Sequence, residues 1–137
     1  MKATRVGSPA VAGNPIAGQW LPAFMSAAPK IDFIAIHWYK GANAKKFIKD
    51  LTELYHAYKK PILVTEYAPQ TSASSRENPT KYAHNEVDAF VRETTQWMEQ
   101  SSFVERYAWH DSKIGTSSLF KQNGELTRTG RTYSMQP

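Results

Sequence analysis

Short apolar runs alternate along the chain with segments of helical periodicity. The runs are Ile31–Tyr39, Ile62–Tyr67 and Val104–His110. Nearly continuous apolar character with many β-branched residues is typical of strands buried on both faces of a parallel sheet. The segment Thr4–Ala10 predicts one more strand before them, followed by a loop over Val11–Gly18 that is rich in glycine and proline.

Helices are predicted between these strands. From residue 44 to 60 the apolar positions fall at helical spacing, leaving a polar face of Lys45, Lys49, Asp50 and Glu53. A second amphipathic helix is predicted over residues 87–98, and shorter ones near residues 20–28 and within 117–133. Residues 70–84 are polar and without periodicity, which predicts a long loop.

The order of these elements predicts the fold class. Strands that alternate with helices of this length form right-handed βαβ units, so we expect an α/β fold with a parallel sheet. With 137 residues, of which 41% are hydrophobic, the chain is long enough for one core. We therefore expect a single domain, residues 1–137.

Charge and composition exclude several classes of partner. The formal net charge is +5, but the basic residues are dispersed, with only Lys45-Lys46 and Lys59-Lys60 adjacent. No basic stripe of the kind that binds nucleic acid results, and no stretch approaches the roughly 20 apolar residues of a membrane span. The absence of cysteine and of a secretory signal in residues 1–18 leaves the localisation open.

Cofactor chemistry is not indicated by the sequence. The four histidines, His37, His56, His84 and His110, have no compact metal-ligand spacing. Glycine-rich phosphate-binding motifs are absent as well. We therefore expect neither a metal nor a nucleotide cofactor.

Polar and aromatic residues gather where the predicted strands end. They are His37 and Tyr39, then Glu66 and Tyr67, and then Trp109, His110 and Asp111. Ligands of parallel α/β folds bind at the carboxyl ends of the strands. Because aromatic faces pack against sugar C–H groups while polar groups bind hydroxyls, this set favours a carbohydrate ligand.

Each of these residues has a functional and a structural interpretation. Glu66 is the candidate catalytic carboxylate, or else a structural carboxylate that accepts hydrogen bonds from the following loop. His37 either orients a carboxylate or substrate hydroxyl, or fills a packed layer. Trp109 is a sugar platform or a core residue, and Trp38, on the face opposite His37, is predicted to be core.

Three motifs in this order resemble glycoside hydrolase family 128, a family of endo-β-1,3-glucanases. They are Ile31–Tyr39, Val64–Ala68 and Glu105–Trp109. Segments 117–120, 124–127 and 130–133 resemble the family's C-terminal signature, and Gly7–Ala10 its fifth strand end. The resemblance covers nearly the whole chain.

The resemblance implies half of a (β/α)₈ TIM barrel, strands five to eight with their helices, and a secreted β-1,3-glucan hydrolase. It implies that Glu66 is the retaining nucleophile on the seventh strand. His37 and Tyr39 match sixth-strand site residues, and Trp109 matches the eighth-strand aromatic at the cleaved sugar. His110 stands where the family more usually has an aromatic residue.

The second catalytic carboxylate that the resemblance requires has no counterpart in this sequence. The family's acid/base glutamate belongs to an Asn-Glu motif on the fourth strand, whereas Asn85-Glu86 is predicted to open a helix. Only Asp111 among the other acids follows a strand at the expected rim. A full barrel takes about 250 residues, so we expect a half-barrel that pairs with a missing N-terminal half or with a second copy.

Three functions remain open from the sequence. The first is an active hydrolase, a homodimer or a complex with the missing half, that acts on β-1,3-glucan through Glu66. The second is a non-catalytic remnant that binds carbohydrate. The third is an unrelated α/β interaction protein, for which neither glucan binding nor turnover is expected.

Overall fold

The computed structural model describes residues 4–10, 20–69, 82–110 and 117–135. Within these ranges, helices and strands alternate as the sequence predicts, so the α/β class is confirmed. The elements in chain order are α1 (Trp20–Ser26), β1 (Ile34–Trp38), α2 (Ala44–Tyr58), β2 (Ile62–Tyr67), α3 (His84–Gln100), β3 (Val104–Trp109) and α4 (Arg128–Ser134).

The three strands form one parallel sheet in the order β1-β2-β3. The predicted strand at Thr4–Ala10 is wrong as a strand, because it makes only an isolated parallel bridge between Gly7 and Phe33. Two backbone hydrogen bonds hold it there, from Ser8 N to Phe33 O at 3.0 Å and from Asp32 N to Val6 O at 2.7 Å. The segment lies beside the start of β1 and extends the sheet by this one contact.

Aromatic side chains form the centre of the core, on the face of the sheet covered by helices. The Trp38 ring stacks on Phe90 at 5.6 Å and meets the edge of Phe47 at 5.2 Å. Trp38, Phe47 and Tyr67 are fully buried, which confirms Trp38 as core. Burying a large apolar side chain stabilises the fold by roughly 1.5–3 kcal/mol, so this cluster fixes α2 and α3 against the strands.

Local signals set the ends of the two long helices. The Asn43 side chain caps α2 by accepting from Lys46 N at 2.9 Å, and Lys59, with φ of 51°, ends it in the left-handed region. Helix α3 begins at His84, where the Glu86 side chain accepts from Ala83 N at 2.8 Å. The prediction that Asn85-Glu86 opens a helix is thus confirmed, while predicted loop residues 70–81 lie outside the described ranges.

The opposite face of the sheet is open among the described residues. Ile62 and Val64, which point towards the helices, are fully buried, whereas Thr65, Arg106 and Ala108 are exposed. A cavity of about 290 Å³ lies on strands β2 and β3 at these residues. No helix in the described part of the chain is both long and apolar enough to cross a membrane.

Candidate functional site

The carboxyl ends of the strands bring four predicted site residues together. His37 lies near the end of β1 and Glu66 near the end of β2, where the two are register partners. His110 follows β3, and its backbone N–H donates to Tyr67 O at 2.9 Å. Tyr39, directly after β1, is the fourth, and together these residues are the Glu66 cluster.

The contacts of the Glu66 side chain within this cluster all involve one of its oxygens, Oε2. The Tyr39 hydroxyl donates a short hydrogen bond to Oε2. The Nδ1 atoms of His37 and His110 lie 3.4 and 3.8 Å from the same Oε2. Oε1 takes part in none of these three contacts. Within the described residues, Tyr39 orients the carboxylate through Oε2, and both imidazoles lie beside the same oxygen.

The cluster is accessible to a ligand without being fully exposed. The side chains of His37, Glu66 and His110 are 26%, 38% and 42% exposed. Tyr39 is buried, with its ring centroid 6.3 Å from that of His37 and 5.5 Å from that of His110, both edge-on. Tyr39 thus contacts both imidazoles through its ring as well as Glu66 through its hydroxyl.

A β-bulge turns Glu66 towards the open face of the sheet. Strict alternation would place Glu66 on the helix-covered side, in phase with Val64. Instead, Ile36 pairs with Val64 and the next residue, His37, pairs with Glu66, so that Thr65 is the extra residue. The Thr65 hydroxyl donates to Ile36 O at 3.1 Å and joins the bulge to β1. Bulges are frequent beside active sites, where they re-aim a side chain.

Tyr67 and Trp109 are not brought into the cluster. Tyr67 is fully buried, and its ring lies 5.0 Å from that of Trp109 and 5.4 Å from that of Phe47. Burial and the nearby Tyr133 raise the pKa of Tyr67 well above its usual value. The structure places the pair on the helix-covered side, because the bulge also reverses the side on which Tyr67 lies.

Trp109 is partly buried and held by the C-terminal segment. Its indole Nε1 donates to Ser117 O at 2.8 Å, and it is the register partner of Tyr67. Of its two interpretations, the contacts favour the core one. Asp111, the remaining predicted site residue, lies outside the described residues.

All but one of the other acids in the described ranges contact groups outside the Glu66 cluster. Buried Asp88, on α3, pairs with Arg128 Nε at 2.5 Å, and exposed Glu105 pairs with Arg5 Nη1 at 2.7 Å. Glu93 is exposed on α3. The remaining acids contact other groups: Asp32 with Val6 N, Asp50 with Lys40, Glu53 with Lys49, Glu86 with Ala83 N, Glu99 with Tyr107 and Glu125 with Lys121.

The part of the chain that the structure describes contains no candidate metal site. There, no group of three or more histidine, cysteine, aspartate or glutamate side chains is placed to hold an ion. The two histidines at Glu66 are instead positioned as partners of the carboxylate.

Asp50 is the residue near the cluster that the sequence interpretation misplaced. Its position in the helical pattern put it on the polar face of α2, yet it is 5% exposed. Its Oδ2 accepts from Trp38 Nε1 at 3.1 Å and from Lys40 Nζ at 2.7 Å. Burial opposes ionisation, but these two hydrogen bonds and the charge of Lys46 outweigh it and lower the pKa of Asp50. One signal in the sequence could have indicated this. Because side chains alternate along a strand, Trp38 and Lys40 lie on the face opposite His37 and Tyr39, where α2 packs.

Comparison with known proteins begins with a family model described as a glycosyl hydrolase catalytic core, which matches residues 1–133. A curated relative is alkali-sensitive linkage protein 1 of Schizosaccharomyces pombe. It is 30% identical over 139 residues, which cover 93% of this chain and 24% of that protein.

Solved structures of family 128 glycoside hydrolases match nearly all of this chain. A subgroup I endo-β-1,3-glucanase from Amycolatopsis mediterranei, in complex with laminaritriose and laminaribiose, superposes with a TM-score of 0.81 at 33% identity. A subgroup VII oligosaccharide-binding protein from Trichoderma gamsii superposes with a TM-score of 0.78 at 23% identity, which indicates the fold alone. This chain is covered to 97% and 96% in the two matches, and it spans 58% and 51% of those structures.

Proposed function

We propose, since this chain belongs to the glycosyl hydrolase catalytic core family, that it forms the part of a β-1,3-glucan hydrolase that binds the sugar and carries its nucleophile. The observation that supports this most is the Glu66 cluster. A partly exposed carboxylate there accepts a hydrogen bond from Tyr39 on the oxygen that also lies near His37 and His110. The glucanase that it resembles binds laminaritriose and laminaribiose.

In the proposed reaction, Glu66 acts as the nucleophile of a retaining mechanism. Oε1 forms a bond to the anomeric carbon as the bond from that carbon to the leaving sugar's oxygen breaks. That oxygen takes a proton from an acid, and water later cleaves the glycosyl ester. The Tyr39 hydroxyl, which donates to Oε2, would hold the carboxylate in a fixed orientation through both steps.

A second carboxyl group is required for the proton transfers. In retaining enzymes the two carboxyl groups lie about 5–5.5 Å apart. The other described acids contact groups outside the Glu66 cluster or, in the case of Glu93, lie exposed on α3. We therefore propose that the acid/base group comes from outside the described residues. It would be supplied by an N-terminal half of the barrel or by a second copy that covers the open face. On this proposal, β1, β2 and β3 are barrel strands six, seven and eight.

The second candidate function is carbohydrate binding without turnover. One protein with this fold, from Trichoderma gamsii, is described as oligosaccharide-binding. The oriented carboxylate and the half-exposed imidazoles could equally accept and donate hydrogen bonds to sugar hydroxyls. Binding and catalysis therefore have to be measured separately.

Two measurements on the same samples test these functions. Laminaritriose binding is followed by titration calorimetry, and turnover is followed on a dinitrophenyl β-laminaribioside, whose good leaving group needs little protonation. We expect binding and slow turnover, with turnover reduced to background in Glu66→Gln. On laminarin, an absent acid would make hydrolysis roughly 10²- to 10⁴-fold slower.

Glu53→Gln is the matched control, because Glu53 is an exposed glutamate on α2 paired with Lys49. It should bind and turn over like the unaltered chain. Binding without turnover would favour the non-catalytic candidate. If the folded chain neither binds laminaritriose nor cleaves the activated glycoside, both candidates are overturned.

A further inference from the structure

Asp50 and Glu66 hold the same short segment of chain from its two sides. Trp38 and Lys40 donate to the buried Asp50, at 3.1 and 2.7 Å. The intervening Tyr39 donates to Glu66. Residues 37–40 thus alternate between two carboxylates, one under the helices and one in the candidate site.

The Asp50 contacts are built into the fold rather than formed at its surface. The Asp50 side chain is 7% exposed and that of Lys40 only 17%. Lys46 Nζ, one turn earlier on α2, lies 3.5 Å from Asp50 Oδ1. Burying a carboxylate is costly unless it is paired and hydrogen-bonded. The three donors satisfy Asp50, and removing one of them leaves a buried charge short of partners.

The end of β1 lies next to these contacts. The β1–β2 register shifts between Ile36 and His37, and β1 ends at Trp38. Beyond this point Ala68 N donates to Trp38 O at 3.2 Å, and the side chains of Trp38 and Lys40 fix the backbone on the other side. Tyr39 lies between these two residues, so side chains that bind Asp50 flank it on both sides in the sequence.

We propose that Asp50 is a positioning residue of the Glu66 cluster. It fixes residues 37–40 through Trp38 and Lys40, so that Tyr39 and His37 reach Glu66 Oε2. Asp50 does not touch the site itself. Its effect on sugar binding rests on the proposed function, but its effect on the geometry of the cluster does not.

The test compares Asp50→Asn with Asp88→Asn in the 137-residue chain. Asp88 is the matched control, because it is also a buried, ion-paired helical carboxylate but pairs with Arg128 of α4. The readout is the NMR ring signals of Tyr39 and His37, with Glu66→Gln marking the signals that sense the carboxylate. A role limited to stability would leave these signals unchanged in the folded protein.

We expect Asp50→Asn to move the Tyr39 and His37 signals that Glu66→Gln also moves, and Asp88→Asn to leave them in place. Laminaritriose affinity should fall roughly tenfold in Asp50→Asn only. Unchanged ring signals in folded Asp50→Asn, or equal changes in Asp88→Asn, would overturn the proposal. If ring signals move but the unaltered chain binds no laminaritriose, the proposed function fails and the positioning role stands.

Trp38→Phe is the variant that tests the proposal if Asp50→Asn does not fold. It keeps an aromatic ring between Phe47 and Phe90 and removes the indole N–H that binds Asp50, together with the second ring of the indole. We expect it to move the Tyr39 and His37 signals in the same direction by a smaller amount. Signals identical to those of the unaltered chain would overturn the proposal.

Discussion

At the scale of single residues, the neighbours of Glu66 approach one of its two carboxylate oxygens. Tyr39, His37 and His110 all approach Oε2. The sequence predicted that these residues belong to one strand-end site, because parallel strands end at the same edge. It did not predict the bulge at Thr65, since a bulge depends on cross-strand register. Simple alternation would therefore have pointed Glu66 into the core.

Removing the Tyr39 hydroxyl tests the environment of Glu66 with a single-atom change. In Tyr39→Phe the donor to Glu66 is lost while the ring stays in contact with both imidazoles. A hydrogen bond to a charged group is worth about 1.5–3 kcal/mol, so we expect roughly ten- to hundredfold slower cleavage of the activated laminaribioside. Tyr58→Phe, at the far end of α2, should leave the rate unchanged. Equal rates in both variants would contradict the role of Tyr39.

At the scale of elements, α2 contributes apolar residues to the core and contacts the end of β1 through Asp50. Its apolar residues and approximate bounds follow from the sequence, because the helical spacing over residues 44–60 predicts them to within two residues. The inward orientation of Asp50 does not follow, because an isolated helical pattern assigns a charged residue to the polar face. Only the tertiary contacts with Trp38 and Lys40 reveal that it is satisfied inside.

The pairing of Asp50 makes the stability of the chain depend on pH. Its pKa is lowered in the folded state from an ordinary value of 3.8. The charged form is thus stabilised by folding, fully above about pH 4, and this stabilisation is lost as the pH falls through the lower folded pKa. Asp50→Asn should cost about 3 kcal/mol of unfolding free energy near neutral pH. Urea unfolding should show this difference shrinking below about pH 4.

A difference between Asp50→Asn and the unaltered chain that stays constant from neutral to acidic pH would contradict the assignment.

At the scale of the whole molecule, the described sheet is covered on one face only. The parallel α/β arrangement follows from the sequence because strand and helix periods are strong local signals. What covers the inner face cannot be inferred from local pattern, since Thr65, Arg106 and Ala108 look like ordinary strand residues. Parallel sheets usually have both faces covered, which supports pairing with a second half or a second copy.

An exposed inner face predicts that the isolated chain associates with itself. Sedimentation velocity over a range of concentrations should show dimers or larger species in equilibrium with the monomer. Ala108→Glu would place a charge on the open face and should shift the population to monomer. Lys45→Glu, on the exposed side of α2, should not. A single monomer at every concentration would contradict self-pairing and leave the missing half as the expected partner.

Trapping the glycosyl intermediate tests the role of Glu66 most directly. A 2-deoxy-2-fluoro-β-laminaribiosyl fluoride carries an anomeric fluoride that leaves with little acid assistance. Its other fluorine, at C2, slows hydrolysis of the glycosyl ester. Mass spectrometry of the digested protein is predicted to find the disaccharide on the peptide containing Glu66, and no label in Glu66→Gln. A label on another residue, or no label on folded protein that binds laminaritriose, would contradict Glu66 as the nucleophile.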